Sequence, residues 1–265
     1  MSLCRQSPPT DSAVPSSRGR IEKGDITDIG AGRRTGYTSA MPRTARSIEA
    51  GTVYHVLNRG NGRMGLFHKD GDYEAFERVL TEGISRYPVD LLTYCLMPNH
   101  WHLVVRPKTD EALGRLMGWV GVTHVRRHHE HYRQRGTGHL YQGRFKSFPV
   151  AEDDYFLTLC RYVEANPLRA KLVQRVGQWP WSGLWCREHR ETEIPLSPWP
   201  VPRPRNWKAL VHGRLAEEQL HGVRECVVRG RPLGTAAWVR STAERLGLEF
   251  TLRGPGRPRR TQINQ

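Results

Sequence analysis

Two histidines separated by a single residue are the clearest sign of chemistry in this sequence. His100 and His102 lie in the apolar run 94–105, with Trp101 between them. Because successive side chains of a β-strand point to opposite faces, a strand through this run places both imidazoles on one face and Trp101 on the other. Two imidazoles on one face are half of a metal site. The spacing also allows two packed or exposed strand histidines that bind no metal.

A tyrosine and an asparagine four residues apart are candidates to complete the site. Tyr162 and Asn166 lie in the run 155–167, and positions i and i+4 of a helix share a face. We expect this face to look at the sheet, where the phenol and the amide would meet the two imidazoles. The alternatives are a tyrosine buried in the core, an asparagine that only ends the helix before Pro167, and Tyr155, two turns earlier, as the reactive tyrosine.

Two imidazoles, an amide and a phenol suit the cleavage of a phosphodiester bond. A divalent ion held by the imidazoles and the amide would polarise the scissile phosphate, and the Tyr162 phenolate would attack phosphorus in line. This ligand set leaves positions open for phosphate oxygens, which favours Mg²⁺ or Mn²⁺ over a closed structural zinc. A free tyrosine has a pKa of about 10, so we expect the ion and a cation such as Arg161 or Arg169 to activate it.

The charge of the chain favours nucleic acid as the partner. Its 265 residues contain 41 Lys and Arg against 26 Asp and Glu, which gives a formal net charge of +15. A surplus of this size suits a polyanion. An anionic membrane could use the same charge, but the sequence has no apolar stretch of the roughly 18 residues that a spanning helix needs and no signal-peptide pattern after Met1. We therefore expect a soluble, cytoplasmic protein with no membrane partner.

The elements that must position these residues follow in the order β-α-β-β-α-β, with a further helix behind them. Periodicity and turn signals predict strands at 53–57, 90–97, 100–106 and 144–150, and helices after Asp70, from near Asp110 and over 153–164. This order is typical of the split-βαβ, ferredoxin-like arrangement, an α+β fold. It places the strand that carries both histidines in the centre of the sheet.

Composition divides the chain into four parts. Residues 1–44 are rich in Ser, Gly, Pro, Arg and Thr and are predicted to form a disordered tail, in which Met41 is an alternative translation start. The core with its catalytic helix occupies 45–185. A Pro-rich linker follows at 186–205, and a small, basic, mainly helical extension at 206–265.

Two Gly-Arg-Pro triplets in the extension predict further contacts with DNA. Their arginines are Arg231 and Arg257. A flat, basic, extended segment of this kind fits an A·T-rich minor groove, where arginine responds to groove width and potential. A solvated basic tail is the alternative. A histidine-rich run at 124–131 is interpreted as a solvated surface that faces phosphates and not as a set of metal ligands.

Four segments, in this order, carry a resemblance to a known family. They are 55–61 (HVLNRGN), 97–102 (MPNHWH), 143–147 (GRFKS) and 161–167 (RYVEANP). With them, the chain from about Met41 to Leu184 resembles the HUH single-tyrosine transposases, and within that family the REP-associated tyrosine transposases. The resemblance implies an RRM-like HUH nuclease core that cleaves and rejoins single-stranded DNA at hairpins formed by repetitive extragenic palindromes, and therefore DNA transposition.

The resemblance also implies roles for single residues. His100 and His102 would be the HUH metal pair, Tyr162 the nucleophile that forms a 5′-phosphotyrosyl intermediate and releases a 3′-OH, and Asn166 a third ligand where some relatives use Gln. Such a protein must hold both a hairpin stem and a single strand. Candidates for these DNA contacts are Asn58, Arg59, Arg126, Arg127, Arg144 and Lys146, with Trp119, Tyr132 and Tyr141 available for stacking on unpaired bases.

Two other functions fit the same sequence. A replication initiator or relaxase would use the same histidines and tyrosine on another DNA site, although the chain has no P-loop of the kind that larger initiators often carry. A non-catalytic DNA-binding protein would retain only the fold. The recognised hairpin, the metal, and the choice between monomer and homodimer do not follow from the sequence.

Overall fold

The computed structural model describes residues 47–189 and 193–254. The predicted tail at 1–44, with Met41, and the predicted DNA contact Arg257 lie outside these residues. No helix of the described ranges is long and apolar enough to cross a membrane.

Four strands form one antiparallel sheet in the order β2-β3-β1-β4. They are β1 Val53–Arg59, β2 Val89–Met97, β3 His100–Pro107 and β4 Lys146–Val150. β3 pairs with β2 on one side and with β1 on the other, so the strand that carries the two histidines is central, as predicted. β1 and β2 are parallel and are connected through helix α1, Asp70–Arg86. The predicted α+β, ferredoxin-like fold is confirmed.

Helices cover both faces of the sheet, because the apolar side chains of the strands alternate between the faces. On one face, α1 and α2 (Ala112–His131) pack on a core that includes Trp101 and Leu103. On the other face, α3 (Asp154–Glu164) packs on a second core that includes Val104. The alternation along β3 therefore directs Trp101 and the histidines that flank it into different layers.

The ends of α3 are set by local chemistry. Asp153 caps the helix, since its Oδ1 accepts a hydrogen bond of 2.8 Å from the backbone N–H of Tyr155. The helix ends at Glu164, and a separate four-residue helix, α4, occupies Asn166–Arg169. Pro167 has no N–H to donate to the preceding turn, which explains the break. Asn166 therefore opens α4, whereas the sequence predicted it on the same helix as the tyrosine.

The chain after α4 folds back onto the α3 face. Its helices are α5 Gly183–Glu188, α6 Trp207–His212, α7 Glu217–Arg229 and α8 Ala236–Leu246, and 3₁₀ helices lie at Asn61–Arg63 and Glu249–Leu252. Trp207 of α6 and Val223 of α7 are buried in the same core as α3. The extension is thus mainly helical in its described part and packs on α3. The boundaries at 185 and 205 stay predictions.

C-terminal segments also lie along both edges of the sheet. At β2, the backbone N–H of Ser197 donates to the carbonyl of Leu91 at 2.8 Å. At β4, Leu233 donates to Pro149 and accepts from Ala151, each at 2.9 Å. These bonds occupy edge groups that would otherwise be open for pairing with another chain. The Pro-rich stretch predicted as a linker is therefore held against β2 in its described part.

Candidate functional site

The two histidines of β3 lie in the layer between the sheet and α3. His100 is 8 % exposed and His102 is 3 % exposed, and their rings are nearly perpendicular with centroids 5.0 Å apart. Tyr162 of α3 presents its ring perpendicular to that of His102, with the centroids 6.1 Å apart. The structure thus brings the predicted nucleophile next to the predicted metal pair.

One nitrogen of each imidazole has a partner inside the protein. Nδ1 of His100 is 2.7 Å from Oδ1 of Asn99, and Nδ1 of His102 is 2.9 Å from Nε2 of His55, a residue of β1. The Nε2 atoms of His100 and His102 have no hydrogen bond to any residue that the structure describes. In metal sites, a ligating histidine characteristically engages its second nitrogen in this way, which fixes the ring and leaves one lone pair for the ion.

Burial keeps both imidazoles neutral at physiological pH. It lowers the pKa of His100 to about 3, with further lowering by the positive charges of Arg59 and Arg169. The pKa of His102 lies well below its usual value, first because of burial and then because of His100 and His55. A neutral imidazole has a lone pair on one nitrogen and can bind a metal ion. The pair therefore fits a divalent cation, although the described ranges contain no group of three or more His, Cys, Asp or Glu side chains arranged to hold a metal ion.

Arg169 connects the tyrosine and the asparagine. Its guanidinium carbon lies 4.4 Å from the centre of the Tyr162 ring. Its Nη2 donates to the backbone carbonyl of Tyr162 at 2.7 Å and to Oδ1 of Asn166 at 2.8 Å. Nδ2 of Asn166 is buried and has no partner among the described residues. The oxygen that would ligate a metal thus already accepts one hydrogen bond, and the role of Asn166 as a ligand stays a prediction.

The two cations proposed to activate the tyrosine are not equivalent. Arg161 points away from the site, because its Nε donates to the carbonyl of Leu210 at 2.9 Å and its Nη2 to that of Arg214 at 3.3 Å. Arg169 is the one that contacts Tyr162. The prediction for Arg161 is wrong, because its position on α3 directs it towards α6.

Arg59 is a second cation at the site. It pairs with His100 across β1 and β3, and burial lowers the pKa of its guanidinium. Its Nε is buried without a partner in the part of the chain that the structure describes. Asn58, the residue before it, donates from Nδ2 to the carbonyl of Gly143 at 3.2 Å. This bond ties β1 to the loop that carries Arg144.

The other predicted DNA contacts differ in how available they are. Arg126 and Arg144 are exposed. Arg127 forms an ion pair of 3.2 Å with Glu82. All three arginines stay predictions as DNA contacts. Arg126 and Arg144 have the more accessible charges.

Two further predicted DNA contacts are engaged within the protein. Lys146 donates from Nζ to the carbonyl of Val227 in α7 at 3.4 Å, and burial lowers its pKa. Arg231 forms an ion pair of 3.2 Å with Glu225. DNA would have to compete with these contacts.

The histidine-rich run on α2 does not form a solvated surface throughout. His124 and His128 are each 5 % exposed, and Nδ1 of His124 is 2.7 Å from the hydroxyl of Tyr141. The same hydroxyl accepts a hydrogen bond of 3.0 Å from Nε1 of Trp101. The helical periodicity of α2 explains the error, since residues four apart share its buried face. Tyr141, predicted to stack on bases, is also buried and unavailable.

Sequence reasoning did not assign His55 and Asn99, the residues that hold the two imidazoles. Both lie in the segments that carry the family resemblance, 55–61 and 97–102. A signal was present for His55, because a histidine in a run of strand-forming apolar residues needs a polar partner when it is buried. The register of β1 against β3 that supplies this partner was not part of the prediction.

Comparison with known proteins places this site in a family. Residues 50–166 match the family described as transposase IS200 like, a range that includes His100, His102, Tyr162 and Asn166. This part of the chain, which is less than half of its length, is similar to IS200-like transposases. The match supports an enzyme that cleaves and joins DNA. The resemblance seen in the sequence is confirmed, and enzymes of this family generally use a divalent metal ion.

Individual relatives are more distant. A protein of Haemophilus influenzae assigned as a REP-associated tyrosine transposase is 22 % identical over 134 residues, which is 46 % of this chain and 72 % of the relative. The structure of a REP-associated tyrosine transposase bound to a REP hairpin is 15 % identical, with a TM-score of 0.45, and covers 67 % of this chain and 100 % of its own. A transposase structure from Deinococcus radiodurans R1 is 13 % identical, with a TM-score of 0.33. The match covers 52 % of this chain and 94 % of that one.

Proposed function

We propose that the protein is a metal-dependent single-strand DNA endonuclease and strand-transferase that acts in the cytoplasm on REP-like hairpin DNA through Tyr162. The observation that carries the proposal is the position of the Tyr162 ring beside His102, in a layer where Nε2 of both β3 imidazoles has no hydrogen-bond partner among the described residues. In the proposed complex, His100 and His102 hold Mg²⁺ or Mn²⁺, and Asn166 or a phosphate oxygen adds a further ligand. The ion, when bound, supplies polarisation of the scissile phosphate.

Tyr162 performs the covalent step. Its hydroxyl loses a proton, its oxygen forms a bond to phosphorus, and the bond between phosphorus and the 3′ oxygen breaks. The 3′ oxygen takes up a proton and leaves as a 3′-OH, while the 5′ phosphate stays on the tyrosine. Attack of a 3′-OH on this phosphotyrosine reverses the step and joins the strands.

The two arginines of the site favour the charged states of this reaction. Arg169 lies over the Tyr162 ring, where its positive charge stabilises the phenolate that forms. Arg59, beside His100, is placed to attract a phosphate to the same layer. Both guanidinium groups remain charged at neutral pH, since that of arginine is effectively always protonated in proteins.

The test is cleavage of labelled single-stranded DNA hairpins with Mg²⁺ or Mn²⁺, read on denaturing gels. We expect cut strands and a covalent protein–DNA adduct, with both lost in Tyr162→Phe. The matched control is Tyr155→Phe on the same helix, which should keep the adduct. An adduct that survives in Tyr162→Phe and disappears in Tyr155→Phe would identify Tyr155 as the nucleophile in place of Tyr162.

The same assay separates the alternatives. Sequencing of the cut ends gives the DNA site that the protein recognises, which separates a hairpin transposase from a replication-initiator or relaxase type of nickase that acts on an origin. DNA binding without any adduct, across the hairpins and both metals, would favour a non-catalytic DNA-binding protein. Sedimentation with and without the hairpin gives the choice between monomer and homodimer.

A further inference from the structure

A third histidine lies directly behind the metal pair. His55 of β1 is completely buried, and its ring lies beside that of His102 with the centroids 5.0 Å apart and the planes within 10° of parallel. Its Nε2 is 2.9 Å from Nδ1 of His102. The edge of Phe148 packs against its other side, with the centroids 5.0 Å apart. The ring is therefore confined between two neighbours and has no route to solvent.

The contact between two neutral imidazoles allows only two arrangements of protons. In one, His102 carries its proton on Nδ1 and donates it to Nε2 of His55, which leaves Nε2 of His102 with a lone pair. In the other, His55 donates and Nε2 of His102 carries a proton. Only the first arrangement leaves His102 able to bind an ion through Nε2, the nitrogen that has no hydrogen bond to a described residue.

The buried position of His55 is not explained by packing. Its Nδ1 is enclosed and has no hydrogen-bond partner within 47–189 or 193–254. A buried polar atom without a partner destabilises a fold, and an apolar ring of the same size would fill the space beside Phe148 without this cost. The hydrogen-bond contact that His55 does make, with His102, therefore has to explain why a histidine occupies this position.

We propose that His55 is a positioning residue that holds His102 in the tautomer and ring orientation needed to bind the metal ion. This inference rests on the proposed function, since it concerns the same site. Asn99 holds His100 from the turn just before β3, through a contact of 2.7 Å. His55 differs in that it reaches across from β1, so that the register of β1 against β3 becomes part of the metal site.

The experiment uses the full chain and two substitutions. His55→Phe keeps a ring of similar size and removes the acceptor, while His55→Gln keeps an amide oxygen that can accept from Nδ1 of His102. The control, Phe148→Leu, disturbs the same packing and leaves the hydrogen bond in place. Mn²⁺ affinity is measured by calorimetry, and the protonated nitrogen of His102 by ¹⁵N NMR of the metal-free protein.

We expect His55→Phe to weaken Mn²⁺ binding about 10- to 100-fold, as the loss of a partner behind a metal ligand does elsewhere. His55→Gln should recover part of this loss, and Phe148→Leu should bind Mn²⁺ like the wild type. Equal affinity in His55→Phe and wild type would overturn the inference. If His55→Phe does not fold, the NMR measurement decides, because a proton on Nε2 of His102 in the wild type would also overturn it. Failure of the proposed function is distinct, since the wild type would then bind no Mn²⁺.

Discussion

Two buried clusters of histidine and tyrosine lie on opposite faces of β3, and they differ in what their nitrogen atoms contact. On the α2 face, His124, Tyr141 and Trp101 form a closed chain in which the Tyr141 hydroxyl contacts both neighbours. On the α3 face, His102 and Tyr162 meet ring to ring, and Nε2 of His102 has no hydrogen bond to a described residue. The two clusters are only one residue apart along β3.

The difference shows that residue type does not decide between structure and chemistry. Both clusters contain histidine beside tyrosine, both are buried, and in both burial lowers the histidine pKa. The α2 cluster uses its hydroxyl to satisfy an indole and an imidazole, so it stabilises the fold. In the α3 cluster, Nε2 of His102 has no hydrogen bond to a described residue, and Arg169 lies over the Tyr162 ring, which is the arrangement that we propose to act on a phosphate.

The largest effect that separates the clusters is on catalysis. We expect His102→Ala to reduce adduct formation by about 10³-fold or more, because a catalytic metal supplies several kcal/mol of stabilisation to the transition state. His124→Gln, on the other face, should leave adduct formation per folded molecule unchanged. Adduct formation is measured on denaturing gels and normalised to the folded fraction from circular dichroism. A loss of activity in His124→Gln equal to that in His102→Ala would break the comparison.

The second effect is on stability at acid pH. Burial lowers the pKa of His124 to about 3, with a smaller lowering by His128 and an opposing effect of Asp72. The unfolded chain, with a histidine pKa of about 6.5, therefore binds more protons than the folded one, so stability is full above about pH 6.5 and falls below it. His124 alone accounts for up to about 1.4 kcal/mol per pH unit in this range.

Urea unfolding at several pH values between 7 and 4 measures this slope. His124→Gln, which cannot be protonated, should have a lower stability at pH 7 and a shallower decline towards pH 4. An unchanged slope in this variant would show that His124 is protonated in the folded protein and not held neutral by burial.

Much of the site was predictable from its sequence because it depends on short-range regularities. The alternation of a strand places His100 and His102 together, and the βαββαβ order places their strand in the centre. The position of Tyr162 on the inner face of α3 follows from helical periodicity. None of these conclusions requires knowledge of which residue contacts which across the sheet.

The parts that were missed depend on contacts between distant segments. His55 acquires its role only from the register of β1 against β3, and Arg161 loses its predicted role because α6 offers carbonyl groups on its side of α3. The buried state of His124 depends on Tyr141, which lies in an irregular loop. Pairings of this kind are not encoded in the periodicity of any single segment.

The third effect tests the structural role of the α2 cluster. Tyr141→Phe leaves the indole N–H of Trp101 without an acceptor and removes a partner of His124, which should destabilise the protein by about 1–3 kcal/mol. Urea unfolding measures it. Tyr87→Phe is the control, because its hydroxyl has no hydrogen bond within the described part of the chain. If Tyr141→Phe were as stable as this control, the hydrogen bonds of the Tyr141 hydroxyl to Trp101 and His124 would contribute nothing to the stability of the protein.

The smallest effect concerns the exposed charges outside both clusters. Arg126 and Arg144 are exposed, so each is free to neutralise one phosphate of a hairpin stem, and each substitution to Gln should lower the slope of log K against log salt concentration by about 0.9. Arg127→Gln is the comparison, since this side chain already pairs with Glu82 and should change the slope less. The slopes are measured by fluorescence anisotropy with a labelled hairpin. If all three variants kept the wild-type slope while binding remained salt-dependent, the stem would lie on another surface of the protein, and α2 would serve the fold alone.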